Sequence, residues 1–164
     1  MSSCSFTGHR IIPDNIAPKL EKLLGAALEY LWAEGCRDFY AGGALGFDTM
    51  CAKAVILFKM THPGVKLHLV LPCKNQDERW SDAQRDVFGY TLAAADDVEY
   101  VSEEYTKDCM KRRNERLAAL GDCLVAYAGK YNSGAGQTVR MANALGKTVY
   151  NLYSRAHENN DRDK

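Results

Sequence analysis

The stretch Phe39-Tyr40-Ala41-Gly42-Gly43-Ala44-Leu45-Gly46-Phe47-Asp48 decides how the rest of the chain is read. Phe39 to Ala41 has the composition of a short strand, and it runs into a turn holding three glycines. Beyond the turn Phe47, Met50, Cys51, Ala54 and Phe58 recur at three- and four-residue intervals, the period of a helix with one buried face. Strand, tight turn and helix in that order make half of a βαβ unit, and a parallel sheet follows if the pattern repeats.

It repeats in both directions. Upstream, Cys4 to Thr7 reads as a strand, and a helix is expected from about Pro18 to Glu34 on the face made by Leu20, Leu23, Leu24, Ala27, Leu28 and Leu31. Gly35 ends it. Downstream, His62-Pro63-Gly64 stops the second helix, and Leu67 to Leu71 is apolar enough for a strand covered on both faces. Ser81-Asp82-Ala83-Gln84 has the form of a capping box, which predicts a third helix from there to about Ala95, followed by a strand at Val98 to Val101. Thr106 is the expected N-cap of a fourth helix reaching Leu120. Then come a strand at Cys123 to Tyr127, a helix at Thr138 to Leu145 and a strand at Val149 to Leu152. The pattern specifies an α/β fold of Rossmann-like, three-layer, doubly wound type, with a mostly parallel sheet and helices on both faces. One domain over residues 1–153 is expected, with a polar tail at 154–164 that frays.

Composition agrees with one ordinary globular domain: 164 residues, 46% hydrophobic and 26% charged. Lys and Arg number 21 against 21 Asp and Glu, so the chain as a whole has no charge with which to attract nucleic acid or an anionic membrane. No apolar run approaches the roughly 20 residues that span a bilayer, and MSSCSFTGHR lacks the order of a signal peptide, so a cytoplasmic location is expected. The six cysteines include no CxxC pair and no spacing for tetrahedral zinc, and they read as reduced core thiols. No metal site is expected.

Ligands of open α/β sheets bind beyond the carboxyl ends of the strands, so the candidate residues are those at strand exits. Thr7, Gly8, His9 and Arg10 bring a hydroxyl, a bare backbone, an imidazole and a guanidinium to one exit, a dense donor set for phosphate. Gly42, Gly43 and Gly46 at the second exit, and Gly134 and Gly136 before Thr138 near the end, allow backbone N–H groups to approach an anion at a helix start. Neither glycine loop is a Walker A sequence or a clean GxGxxG. Asp48 either accepts a ribose hydroxyl or caps the helix behind Gly46. Arg113 and Asn114 interrupt the apolar stripe of the fourth helix, as residues reaching a ligand or as an internally satisfied pair. Trp80, with Gln76 and Arg79, either lines a pocket on which a base stacks or packs ordinarily; its staple partner would be Arg85, a poor one.

Taken in order, FTGHR, GGALGFD, PCKNQDERWS, YTKDCMKRRN and SGAGQTVR resemble the YpsA-like branch of the SLOG superfamily, collinearly from about Cys4 to Leu152. The resemblance implies a Rossmann-like domain related to the DNA-processing protein DprA and to the LOG phosphoribohydrolases, binding a nucleotide or nucleotide-derived ligand. It places Thr7, Gly8, Arg10, Gly42, Gly43, Gly46, Asp48, Arg113, Asn114, Gly134, Gly136 and Thr138 around one pocket. The sequence departs from the family twice. SGAGQTV separates Gly136 from Thr138 where relatives run Gly-Gly-Thr, and Met141 stands where the LOG motif PGGxGTxxE carries its catalytic glutamate.

Methionine is neither acid nor base, so phosphoribohydrolase chemistry of the LOG kind is not expected, and no catalytic residue is assigned. The leading expectation is a domain that binds or senses a nucleotide-type ligand such as ADP-ribose, NAD or a nucleoside phosphate, with no cofactor beyond it. One alternative is a nucleotide hydrolase using Asp48 or Glu78 as base. The other is a DprA-like single-stranded nucleic-acid role centred on Lys111, Arg112, Arg113 and Arg116, the weakest on charge. Exposed apolar helix faces leave room for a homodimer.

Overall fold

A computed structural model describes residues 1–158. Those residues form six strands: β1 Ser3–Gly8, β2 Asp38–Ala41, β3 Lys66–Leu71, β4 Asp97–Tyr100, β5 Cys123–Tyr127 and β6 Thr148–Asn151. The helices between and after them are α1 Ala17–Ala33, α2 Phe47–Lys59, α3 Asp82–Ala94, α4 Cys109–Leu120, α5 Gly134–Ala144 and a short α6 Tyr153–Ala156. The sheet runs β4-β3-β2-β1-β5-β6 and every pair is parallel, so the mostly parallel sheet expected is parallel throughout.

Strand order explains the layers. From β1 to β4 the chain steps one way across the sheet, and right-handed crossovers put α1, α2 and α3 on one face, where α2 packs against both neighbours. It then returns to β5 and β6 on the other side of β1, which puts α4 and α5 together on the opposite face. Order therefore reverses between β1 and β5, the switch point where a crevice opens at the strand ends.

Burial follows the periodicities. Leu20, Leu24, Leu28 and Leu31 form the inward stripe of α1. β5 is buried at every position, as a central parallel strand must be, whereas the edge strand β4 carries Asp97 and Glu99 in a half-exposed setting. All six cysteines are buried free thiols.

Three local features differ from the sequence reading. Thr106 is not the cap of α4: Asp108 occupies that position, and the Thr106 hydroxyl donates to its carboxylate at 2.9 Å. α5 begins a full turn before Thr138, because Ser133 caps it by accepting the Gly136 N–H at 3.0 Å. The tail expected to fray from residue 154 is docked as far as it is described. Ala156 is 2% exposed, and the Tyr127 hydroxyl meets the His157 Nε2 at 2.7 Å. Residues 159–164 of that tail lie outside the described residues.

The capping box at α3 is fully formed, with the Gln84 N–H on the Ser81 hydroxyl at 3.1 Å and the Ser81 N–H on the Gln84 side chain at 3.0 Å. Ser81→Ala removes one arm and is expected to cost about 1 kcal/mol in urea unfolding. A change below a few tenths would show that α3 is held by packing alone.

Candidate functional site

The crevice at the switch point is a cleft of about 300 Å³. Its walls are Thr7 to Arg10 from the β1 exit, Ala44 and Asp48 from the β2–α2 connection, Met110, Arg113 and Asn114 from α4, and Ser133 to Ala135 at the start of α5.

Backbone contacts too close for side chains hold the first two walls together. A Cβ on Gly8 would overlap the Phe47 ring, and one on Gly46, whose φ is 80°, would strike the backbone of Arg10. The Phe47 N–H donates to the His9 carbonyl at 3.1 Å and closes the joint. Those glycines are required by the approach of one loop to the other.

Asp48 is 5% exposed and sits in the first turn of α2. It does not cap that helix. Its Oδ2 accepts the upstream Ala44 N–H at 3.2 Å, while its buried Oδ1 has no hydrogen-bond partner. Burial pushes its carboxyl up from the ordinary aspartate range, against the opposing pull of Arg113, the Ala44 N–H and Arg10. Arg113, also 5% exposed, donates to the Gly42 carbonyl and, through Nε, to the Asn114 Oδ1 at 2.8 Å. Burial lowers its pKa while Asp48 holds it up. A Cβ on Gly42 would lie 2.8 Å from the Asp48 Oδ2 and 2.9 Å from an Arg113 guanidinium nitrogen, so the bare glycine lets the two charges converge.

The opposite wall carries hydrogen-bond donors. Ser133 satisfies the third N–H of α5, which leaves the Gly134 and Ala135 N–H groups at the positive end of an 11-residue helix, facing the cleft. The Asn114 Nδ2 is 3.7 Å from where a Gly134 Cβ would stand, so its amide joins the same edge. Arg10 is exposed at the mouth and touches the Met110 sulfur at 3.9 Å. An anion seated there would meet backbone dipoles, an amide and a guanidinium together.

Of the residues expected at the site, Thr7, Gly8, His9, Arg10, Asp48, Arg113, Asn114 and Gly134 line the cleft. Others stand behind it. The Gln76 amide holds the Gly43 carbonyl at 3.1 Å and so shapes the loop from outside. Trp80 packs edge-on against Phe88, ring centroids 5.3 Å apart, and is not a cleft wall; Arg85 bonds its carbonyl. Thr138 is fully buried, its hydroxyl donating to the Gly134 carbonyl at 3.0 Å. Gly136 is a glycine because the Lys130 and Tyr131 carbonyls press on it, so Gly136→Val would disturb the fold as well as the cleft. Glu78 is exposed and lies outside the cleft. Met141 packs beside Ala118, Leu124 and Ala142 on the sheet face. Ala44, Met110, Ser133 and Ala135 were not singled out from sequence, although Ser133 ahead of a helix is a recognisable N-cap signal.

A larger groove of about 740 Å³ runs between α1 and α2, floored by Leu24, Leu28, Met50, Ala54 and Leu57. It lies away from the strand ends, and of the polar residues that also line it His62 and Glu29 are engaged with each other at 3.0 Å. The switch-point cleft is therefore the better candidate despite its smaller size.

The fold and cleft define a Rossmann-like α/β protein with a polar cleft at its switch point. A sequence model described as the YspA SLOG family (YpsA) matches residues 13–152, and the chain belongs to that family. It is 29% identical over 147 residues to the uncharacterized SPbeta prophage-derived protein YoqJ of Bacillus subtilis, covering 81% of this chain and 86% of YoqJ. It is 31% identical over 122 residues to a UPF0398 protein of Bacillus pumilus, covering 73% of this chain and 63% of the relative. Among solved structures, DNA processing protein A from Helicobacter pylori, which binds single-stranded DNA, superposes with a TM-score of 0.64 at 18% identity. The match covers 90% of this chain and 63% of that one. DNA processing protein A from Streptococcus pneumoniae gives 0.64 at 20%, with 90% and 49% covered. The chain thus spans about half to two thirds of these DprA chains, and the likeness to them is one of fold.

His9 supplies a pH-dependent bond. Its Nε2 accepts the Gly129 N–H at 2.7 Å, which requires that nitrogen to be unprotonated. Burial lowers its pKa below the ordinary 6.5, helped by Lys130 and His157. The folded protein then binds fewer protons than the unfolded chain, so this contribution to stability is intact above pH about 6.5 and declines as pH falls below it. An NMR titration should show the His9 ring protonating below 6.5 with the Gly129 amide shifting in step; titration above 6.5 would contradict the assignment.

Proposed function

We propose that this chain binds or senses a nucleotide or nucleotide derivative in the switch-point cleft. The phosphate or diphosphate sits on the Gly134 and Ala135 N–H groups, Asn114 and Arg10, and a ribose lies toward Asp48. The observation that carries the reading is the polarity of one small cleft, which has helix-terminal donors on one wall and a buried carboxylate oxygen without a donor on the other. Membership of a SLOG family and a fold shared with DNA processing protein A support a nucleotide-related role.

Single-stranded nucleic acid is the second reading, motivated by the DprA neighbours. The basic residues of α4 give it little support. Arg113 is buried, Arg116 is clamped by both oxygens of Glu99 at 2.9 and 3.1 Å, and Arg112 donates to the Val101 carbonyl at 2.7 Å. Lys111 is left exposed, too little charge to follow a phosphate backbone.

Thermal unfolding with AMP, ADP, ATP, NAD, ADP-ribose and cyclic dinucleotides tests the reading, with Arg10→Ala as control because that side chain is exposed. A ligand at about a hundred times its dissociation constant adds roughly 2.7 kcal/mol, a shift of several degrees. Stabilisation by one or more nucleotides, lost or strongly reduced in Arg10→Ala, is expected. No shift across the panel, or an equal shift in the variant, would overturn the assignment.

A further inference from the structure

The unpartnered oxygen of Asp48 specifies more than a place for a sugar. We infer that the cleft selects its ligand by a ribose hydroxyl donated to Asp48, so that ribonucleotides bind in preference to deoxyribonucleotides while the base goes unread. The inference rests on the nucleotide reading above.

Asp48 lines the cleft; its Oδ1 is buried just behind that wall and accepts no hydrogen bond, whereas Oδ2 is already used by the Ala44 N–H. A buried carboxylate oxygen left without a donor is costly, and the cost is relieved when a donor arrives. Arg113, whose charge acts on Asp48, donates instead to the Gly42 carbonyl and to Asn114. The missing donor therefore comes from the ligand.

The surroundings restrict what that donor is. An ammonium would stand beside Arg113 and near Arg10, whose positive charges both act on Asp48. A neutral hydroxyl meets no such repulsion. A base edge would have to be buried in about 300 Å³ along with the phosphate, at the small end of ligand sites. Trp80, the side chain best suited to stack on a base, is already packed on Phe88. A phosphorylated sugar satisfies both ends of the cleft: its anion takes the α5 terminus and a sugar hydroxyl takes Oδ1. The same logic disfavours DNA as an occupant, because its sugar lacks the 2′-hydroxyl and its 3′-oxygen is esterified.

Calorimetric titration with AMP, its 2′-deoxy and 3′-deoxy forms and CMP decides the point, on the unaltered protein and on Asp48→Asn and Asp48→Ala. Removal of one of the two hydroxyls should weaken binding at least about tenfold, as for a lost hydrogen bond to a charged group, while AMP and CMP stay within roughly threefold. In Asp48→Ala the gap between ribo and deoxy forms should close to within about twofold, and in Asp48→Asn it should shrink. If AMP and both deoxy forms bind the unaltered protein alike, the inference fails and the nucleotide reading survives. If none of these nucleotides binds, the inference falls, and the nucleotide reading falls with it only if the wider panel also gives no shift. The comparison on unaltered protein decides the matter even if a variant proves poorly folded.

Discussion

Two opposite charges held in the interior, Asp48 and Arg113, organise the carboxyl end of the sheet. They come from opposite layers, Asp48 from α2 on one face and Arg113 from α4 on the other, and they converge on Gly42 at the exit of β2. The Arg113 guanidinium acts on the Asp48 carboxyl without a direct hydrogen bond, opposing the upward push that burial gives its pKa. Arg113 is satisfied by a backbone carbonyl and an amide oxygen, whereas Asp48 keeps one oxygen without a partner. That asymmetry gives the region its chemistry, since the scaffold satisfies the cation and leaves the anion short of a donor.

The other walls are set by contacts that leave little freedom. Gly8 against Phe47 and Gly46 against the Arg10 backbone fix the β1 exit relative to the start of α2. On the far side, the Ser133 hydroxyl donates to the Lys130 carbonyl at 2.7 Å while it caps α5, which folds the loop after β5 back over the helix start. The Tyr153 and His157 rings stack with centroids 4.0 Å apart, and His9 packs edge-on to Tyr153 and Tyr127. α6 is thereby fastened beneath the His9 wall, so the end of the described chain helps shape the cleft.

The alternation of strands and helices was legible because each segment carries a clear period, and the α3 start because its capping box involves only neighbouring residues. The start of α5 was not. Gly134 and Gly136 suggest a loop because glycine disfavours helix by about 1 kcal/mol, yet tertiary packing of Lys130 and Tyr131 leaves no room for a side chain at 136. For Asp48 the sequence allowed capping or a ligand role; capping fails on its hydrogen bonds, which depend on how the β2–α2 loop closes. The burial of Arg113 was legible in the α4 stripe, but the identity of its partner, a carbonyl 71 residues away in sequence, was not. Trp80 shows the same limit from the other side, since its ring packs on Phe88, eight residues along on α3, and not on the staple position at Arg85.

The most direct test of this account is an amide NMR titration of isotopically labelled protein with AMP and ADP-ribose. It follows Gly134 and Ala135 in the cleft and Gly25 and Ala54 in the groove between α1 and α2. The account predicts saturable shifts at Gly134 and Ala135, with Gly25 and Ala54 unmoved. Shifts confined to Gly25 and Ala54, or no saturable shift at the start of α5, would contradict it.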